Sequence, residues 1–247
     1  MLLSTPGLVL HTTPYGETSV VAKVFTRQLG VQSYLVKGVR SRSGRAKQSF
    51  FSPLTSLDMV VYDSRRGELS YIKELSPRHP DHAADALANA HRFFMAEVLY
   101  RSLREDEPLP DLWDYVEHTE ADNLGVLGET LNHDASTPSS VDLPICFLLT
   151  VAHHLGIEPL DNHTPHNPYF DLQEGRFVDS PTETTLTRDH SALLHDYLVA
   201  SISTFHSPLS TLSSRRAIID ALIAYYQLHL SSFRHFRSHE ILHTILR

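Results

Sequence analysis

The sequence predicts an α+β protein: a five-stranded OB-fold β-barrel at residues 1–78, then an α-helical domain at 79–247 with an irregular insert at about 158–189. Three observations predict it. Hydrophobicity runs at period two over roughly the first 75 residues and at period 3.6 afterwards. Composition changes abruptly at Pro77-Arg78-His79-Pro80. The formal charge reverses at the same place, from +6 over residues 1–80 to −17 over 81–209, with +3 over 210–247.

The strands come first. Gly7–Thr13 is a short apolar, β-rich run that Pro14 helps to end, and Tyr15-Gly16-Glu17 reads as a turn. Thr18–Thr26 is dense in β-branched and aromatic residues and alternates around Lys23. After the Gln28-Leu29-Gly30 turn, Val31–Val36 is the third strand. Leu54–Tyr62, entered through Pro53, is the fourth, and Leu69–Leu75 alternates as the fifth. Five short strands with Gly and Pro between them describe a small antiparallel barrel. An OB-fold, a platform for single-stranded nucleic acid, is the economical reading. An SH3-like barrel has a similar strand count.

Helical spacing takes over at Asp81–Leu103, where Leu87, Ala90, Phe94 and Val98 share a face. Leu112–Leu131 repeats the pattern, with Glu117, Glu120, Asp122 and Glu129 read as a solvated face. Leu143–Leu155 is apolar nearly all round and is the expected central buried helix, with Pro144 in its first turn and Gly156 at its end. Inside the insert, Tyr169–Leu172 and Arg176–Val178 flank Gln173-Glu174-Gly175 as a small hairpin. Ser191–Phe205, Ser214–Leu230 and His235–Leu246 are the remaining helices.

Composition excludes several classes. A single cysteine, Cys146, rules out an internal disulfide and a cysteine-based zinc site. The N-terminus lacks the basic region of a signal peptide, and no apolar run has the length of a membrane span, so a cytoplasmic protein with no membrane contact is expected. There is no GxGxxG, Walker A, HExxH or GxSxG motif. Seventeen histidines make coincidental spacings common. His163 and His166 resemble half a metal site, and His235, His239 and His243 fall at i, i+4 and i+8 on one expected helix face. Neither set comes with a matching pair, so no metal or other cofactor is expected.

The strongest functional signal is Lys37–Lys47, KGVRSRSGRAK, with five cations and no acid. Such a density of charge cannot be buried unpaired. It reads as a solvated loop made flexible by Gly38 and Gly44, and it suits the phosphates of a polyanion. Lys37, Arg40, Arg42, Arg45 and Lys47 are the primary DNA-binding candidates, joined by Lys23 and Arg27 on the barrel and by Arg215, Arg216 and Arg237 near the C-terminus. Tyr34 is a candidate base-stacking residue, with core packing as its more ordinary role. A protein-interaction module that binds an acidic partner, or a His-dependent hydrolase, would compete with a nucleic-acid binder. The hydrolase needs a converging acid/base set that the sequence does not display.

The opening LVLHTTPYGETSVVAKVFTRQLGVQSYLVKGVRSRSGR resembles the N-terminal domain of the RecO family of DNA repair and recombination mediators. Tyr15, Gly16, Glu17, Phe25, Thr26, Gly30, Lys37, Gly38 and Arg40 carry the match, and Arg215-Arg216, Tyr226, His229-Leu230 and Arg237-Ser238 resemble the family's last helices. The resemblance implies an OB-fold ahead of a helical domain, no enzymatic activity, and binding to single- and double-stranded DNA. It also implies annealing of complementary strands and work in the RecF pathway: with RecR, loading RecA onto DNA coated by single-strand-binding protein (SSB), in the nucleoid-containing cytoplasm. Some relatives carry a four-cysteine zinc module in the helical part, whereas residues 161–179 here hold no cysteine.

Overall fold

The computed structural model describes residues 2–41, 44–62, 69–79, 86–123, 141–203 and 211–245, with backbone alone at 45–46, 121–123 and 201–203. Five strands form a closed barrel: β1 (Leu2–Tyr15), β2 (Ser19–Thr26), β3 (Gly30–Val36), β4 (Ser56–Tyr62) and β5 (Ser70–Pro77), in the order β1-β2-β3-β5-β4. The first strand is twice the expected length because it serves two neighbours. Its N-terminal half pairs with β4, and it pairs with β2 from Gly7 to Tyr15, across an irregularity at Val9/His11. Closure is not wholly antiparallel, since β3 and β5 run parallel, with Tyr34 opposite Ser70 and Leu35 opposite Tyr71. This strand order, with a short helical turn between β3 and β4, is OB topology and separates the barrel from the SH3-like alternative.

The barrel interior is built from one side of each pleat. Val9, Val20, Ala22, Val24, Leu57 and Val61 fill it, and Phe51 plugs it from the short helical segment α1 (Arg45–Gln48) and its 3-10 continuation Ser49–Phe51. Tyr34 belongs to this core, 1% exposed, with burial pushing its phenol pKa up. It is packing, not a stacking surface.

By its contacts the chain forms two units, residues 1–128 and 129–247. The first extends beyond the compositional break near residue 78, because α2 (Ala86–Ser102) packs against β1 and α3 (Pro110–Asn123) is tied to the barrel. Phe25 lies outside the interior cluster yet is 0% exposed. Its carbonyl oxygen accepts a 3.0 Å hydrogen bond from Trp113 Nε1 on α3. The expected solvated face of this helix is wrong at Glu120, which is 1% exposed and meets Arg92 of α2 at 2.7 Å. Glu117 is also mostly covered, and Arg78 Nε reaches its carboxylate at 2.7 Å. The helix ends at Asn123, so Leu124, Leu127, Glu129 and Leu131 of the expected pattern lie outside the described residues, as does the side chain of Asp122.

In the second unit, α4 (Leu143–His154) is buried from Leu143 to Leu149 without interruption, as its all-round apolar sequence requires. α5 (Arg188–Ser203) and α6 (Leu212–His229) pack on it, and α7 (Ser238–Ile245) packs on α6. Thr211 caps α6 by accepting from the Ser214 amide. The expected hairpin is present as β6 (Tyr169–Asp171) and β7 (Arg176–Val178). The insert around it is held by polar side chains. Asp171 accepts from Thr182 Oγ1 (2.7 Å), Thr184 Oγ1 (2.9 Å) and the amides of Gln173 and Glu174, and Asn162 bonds Phe177 through both its amide groups. No helix among the described residues is long and apolar enough to cross a membrane.

Candidate nucleic-acid interface

The basic stretch is not a flexible loop throughout. Lys37 leaves β3 exposed, but Val39 turns into the barrel core at 2% exposure. The chain then folds on itself: the Arg40 amide donates to the Thr18 carbonyl at 2.9 Å, and Ser41 Oγ to the Gly38 carbonyl at 2.7 Å. Gly38 sits at φ +77°, and a Cβ on Gly44 would lie 1.9 Å from the Gly38 carbonyl oxygen, so both glycines shape a closed turn. From Arg45 the chain enters α1. This locks the turn against the β1–β2 connection and points Arg40 outward, where Nη1 also reaches the Gly16 carbonyl at 3.2 Å. Lys37, Arg40 and Lys47 are exposed, and no carboxylate among the described residues pairs with them. Arg42 and the Arg45 side chain lie outside the described residues.

The other barrel cations differ. Lys23 is ion-paired with Glu105, and Arg27 grips Asp114 through two bonds of 2.8 and 2.9 Å. That grip holds the Asp114 carboxyl below the usual carboxylate range. Gln32 donates to Asp106 at 2.8 Å. The outer side of β2–β3, an oligonucleotide face in OB-folds generally, is thus partly overlaid in its own unit by the α2–α3 segment and neutralised there. In the second unit Arg215 is engaged by Asp142, itself 2% exposed, at 2.8 Å, and Tyr197 Oη donates to the same oxygen at 2.7 Å. Arg216 donates to the His243 carbonyl oxygen, and Arg237 is exposed.

The histidine spacing near the C-terminus does not form a triad. The helix starts at Ser238, and His235 lies before it in a turn at φ +61°, so only His239 and His243 share the helix. His163 packs its ring 4.5 Å from that of His195, whose Nδ1 pairs with Asp161 at 2.7 Å, while His166 is exposed in the turn after it. Among the described residues no three His, Cys, Asp or Glu side chains gather as a metal site. Cys146 is buried, and burial pushes its thiol up to about 12, which leaves it inert at neutral pH.

A feature that the sequence does not single out is a pair of exposed tyrosines at the barrel rim, Tyr62 and Tyr71 at 48 and 46% exposure. Tyr71 stands beneath Lys37, whose ammonium lies 5.6 Å from the ring centroid.

A closed OB barrel whose Lys37, Arg40 and Lys47 meet no carboxylate among the described residues defines the class: a barrel of the kind used to hold oligonucleotides or oligosaccharides. Residues 1–80 match the family model described as Recombination protein O N terminal. Along nearly its whole length the chain is similar to proteins named DNA repair protein RecO: 27% identical to that of Christiangramia forsetii, covering 99% of each chain, 28% to that of Flavobacterium psychrophilum, and 29% to that of Phocaeicola vulgatus, the latter two covering 98% of each chain. The chain thus resembles the RecO proteins along nearly its whole length, and its residues 1–80 match that family's N-terminal model; the relatives' printed role is DNA repair.

Proposed function

We propose that the protein is a non-catalytic recombination mediator that binds single- and double-stranded DNA through the β3–β4 connection, anneals complementary strands, and with RecR helps load RecA onto SSB-coated DNA in the cytoplasm, at the nucleoid. Residues 1–78 are the nucleic-acid-binding domain in this reading, and residues 79–247, with the insert at 158–189, the helical domain. One observation carries it. Lys37, Arg40 and Lys47 stand exposed without a carboxylate partner among the described residues, whereas Lys23, Arg27, Arg78 and Arg215 are each matched by one. Unmatched cations on a braced turn release counterions from a phosphate backbone, and matched ones have less to offer. Lys23, Arg27, Arg215, Arg216 and Arg237 are secondary contacts in this scheme. Annealing needs only that two polyanions be screened and held together, so no catalytic residue is invoked.

The test is DNA affinity against salt for wild type and for a variant with Lys37, Arg40, Arg42, Arg45 and Lys47 replaced by alanine, with circular dichroism as the folding control. Each lost phosphate contact lowers the salt slope by about 0.7 for single strands. Three lost contacts therefore give a fall of roughly 2, alike for unrelated sequences because backbone contacts carry no base information. Annealing falls in parallel. An unchanged slope in a folded variant overturns the assignment.

A further inference from the structure

The sheet register places exposed apolar side chains in a line across the barrel edge next to the cationic turn. Leu2 on β1 pairs with Tyr62 on β4. Val61 pairs with Ile72 across β4 and β5, so Tyr62 and Tyr71 are the next residues on the two strands. Val61 is 0% exposed and points into the core, which turns both tyrosines outward. Tyr71 in turn lies opposite Leu35 on β3, one residue before Val36 and two before Lys37. Leu2, Tyr62 and Tyr71 are 45, 48 and 46% exposed. Large apolar side chains standing side by side at the barrel rim mark a contact site, unlike singly scattered ones.

We infer that Tyr62 and Tyr71 form a base-stacking platform that binds unpaired nucleotides, with Lys37 holding the phosphate beside them. The inference rests on the proposed DNA-binding role of the turn and adds to it a reason to prefer single strands. Two planar rings on adjacent strands suit successive bases, whose faces stack on aromatic side chains regardless of sequence. Charge selects the occupant. The ammonium of Lys37 sits over Tyr71 at 5.6 Å, and Arg40 and Lys47 follow within ten residues. The nearest acid on β5 is Glu74, which Lys73 meets at 3.5 Å. In the free protein the Lys37 ammonium takes the cation–π place on the ring. When a base stacks there, the lysine moves its charge to the phosphate, so the ring is never left bare. A duplex presents no free base face and gains nothing from the platform.

The experiment compares wild type with Tyr71→Ala, Tyr62→Ala, the double variant and Tyr71→Phe. Fluorescent oligonucleotide is titrated as a normal single strand, as an abasic single strand and as a duplex, each at several salt concentrations. The expected result is a loss of about fivefold or more in single-strand affinity for each tyrosine replaced by alanine. Tyr71→Phe retains affinity because stacking needs no hydroxyl. Duplex affinity and the salt slope stay near wild type, and wild type but not the double variant discriminates against the abasic strand. This signature is the reverse of that expected for the cation variant, in which the slope falls, so the two readings fail separately. If the double variant, folded by circular dichroism, binds the normal single strand as tightly as wild type, the platform is overturned and the line of side chains is a docking face for protein. An equal loss on duplex and single strand also overturns it.

Discussion

Trp113 is the sharpest test of how the first unit is assembled. It is the only tryptophan in the chain and is 1% exposed. Its indole N–H donates across 88 positions of sequence to the Phe25 carbonyl oxygen at 3.0 Å, and the Arg78 guanidinium lies 5.8 Å from its ring. Trp113→Phe keeps a buried aromatic ring and removes the donor. The lost hydrogen bond costs about 1 kcal/mol. The smaller ring leaves a void of a few tens of Å³, which at about 24 cal/mol per Å³ adds roughly 1 kcal/mol. Trp113→Ala removes the whole contact and is expected to cost about 3–5 kcal/mol. The assay is urea unfolding followed by far-ultraviolet circular dichroism, with wild-type tryptophan fluorescence identifying the transition that belongs to the first unit. At a slope near 2 kcal/mol per molar, Trp113→Phe lowers that midpoint by about 1 M. A midpoint unmoved by Trp113→Phe and a loss below about 1 kcal/mol for Trp113→Ala would refute the claim that α3 is fastened to the barrel through this residue.

Two further outcomes follow from the same unit. A fragment of residues 1–128 is expected to unfold cooperatively, while residues 1–80 alone, which uncover Phe25 and strip Arg27, Lys23 and Arg78 of Asp114, Glu105 and Glu117, unfold at clearly lower denaturant; equal midpoints contradict the docking of the helices. Glu120 titrates near 8 because burial lifts it from 4.5, with Arg92 opposing the rise. A raised carboxyl means the native state holds the proton that the unfolded state has released, so this contribution is complete below pH 4.5 and is lost as pH climbs toward 8, by at most ~5 kcal/mol. Glu120→Gln is expected to flatten that slope, and a pH–stability profile identical to wild type contradicts the buried carboxyl.

The strands and helices were largely legible because each rests on local periodicity. β2 alternates in burial from Ser19 to Val24, and α4 is apolar on every side in sequence and in burial. What the sequence concealed is pairing between distant residues. The parallel contact of β3 with β5 brings Tyr34 beside Ser70, and nothing local to either strand encodes it. Charge was misleading for the same reason. Lys23 and Glu105, Arg27 and Asp114, and Arg215 and Asp142 are 73 to 87 residues apart, so a list of cations could not show which were already matched. Glu120 carries a readable signal: it falls four residues after Val116 and seven after Trp113, on the apolar face, where a carboxylate is unusual. Tyr71 was concealed differently. The run Leu69 to Leu75 alternates between faces of similar polarity, and the barrel turns Ser70 inward and Tyr71 out.

The charge pattern itself needs a structural reading before it bears on DNA. A net charge of −8, with −17 over the middle of the chain, is adverse to a polyanion when summed over segments. Yet Glu105, Asp114 and Glu117 are spent on Lys23, Arg27 and Arg78, Asp142 is buried against Arg215, and Glu120, buried beside Arg92, keeps its proton up to about 8. Segment totals therefore count as acid what the fold has already matched. Matching also sorts the cations by location: those on the β2–β3 face are taken by α2–α3, and those on the β3–β4 turn are not. At 0.1 M salt the Debye length is about 10 Å, so a phosphate at the turn responds to Lys37, Arg40 and Lys47 far more than to carboxylates farther away on the surface. Among the described residues, the acids that make the chain negative leave the barrel's unmatched cations on the β3–β4 turn, where the proposed strand-binding site lies.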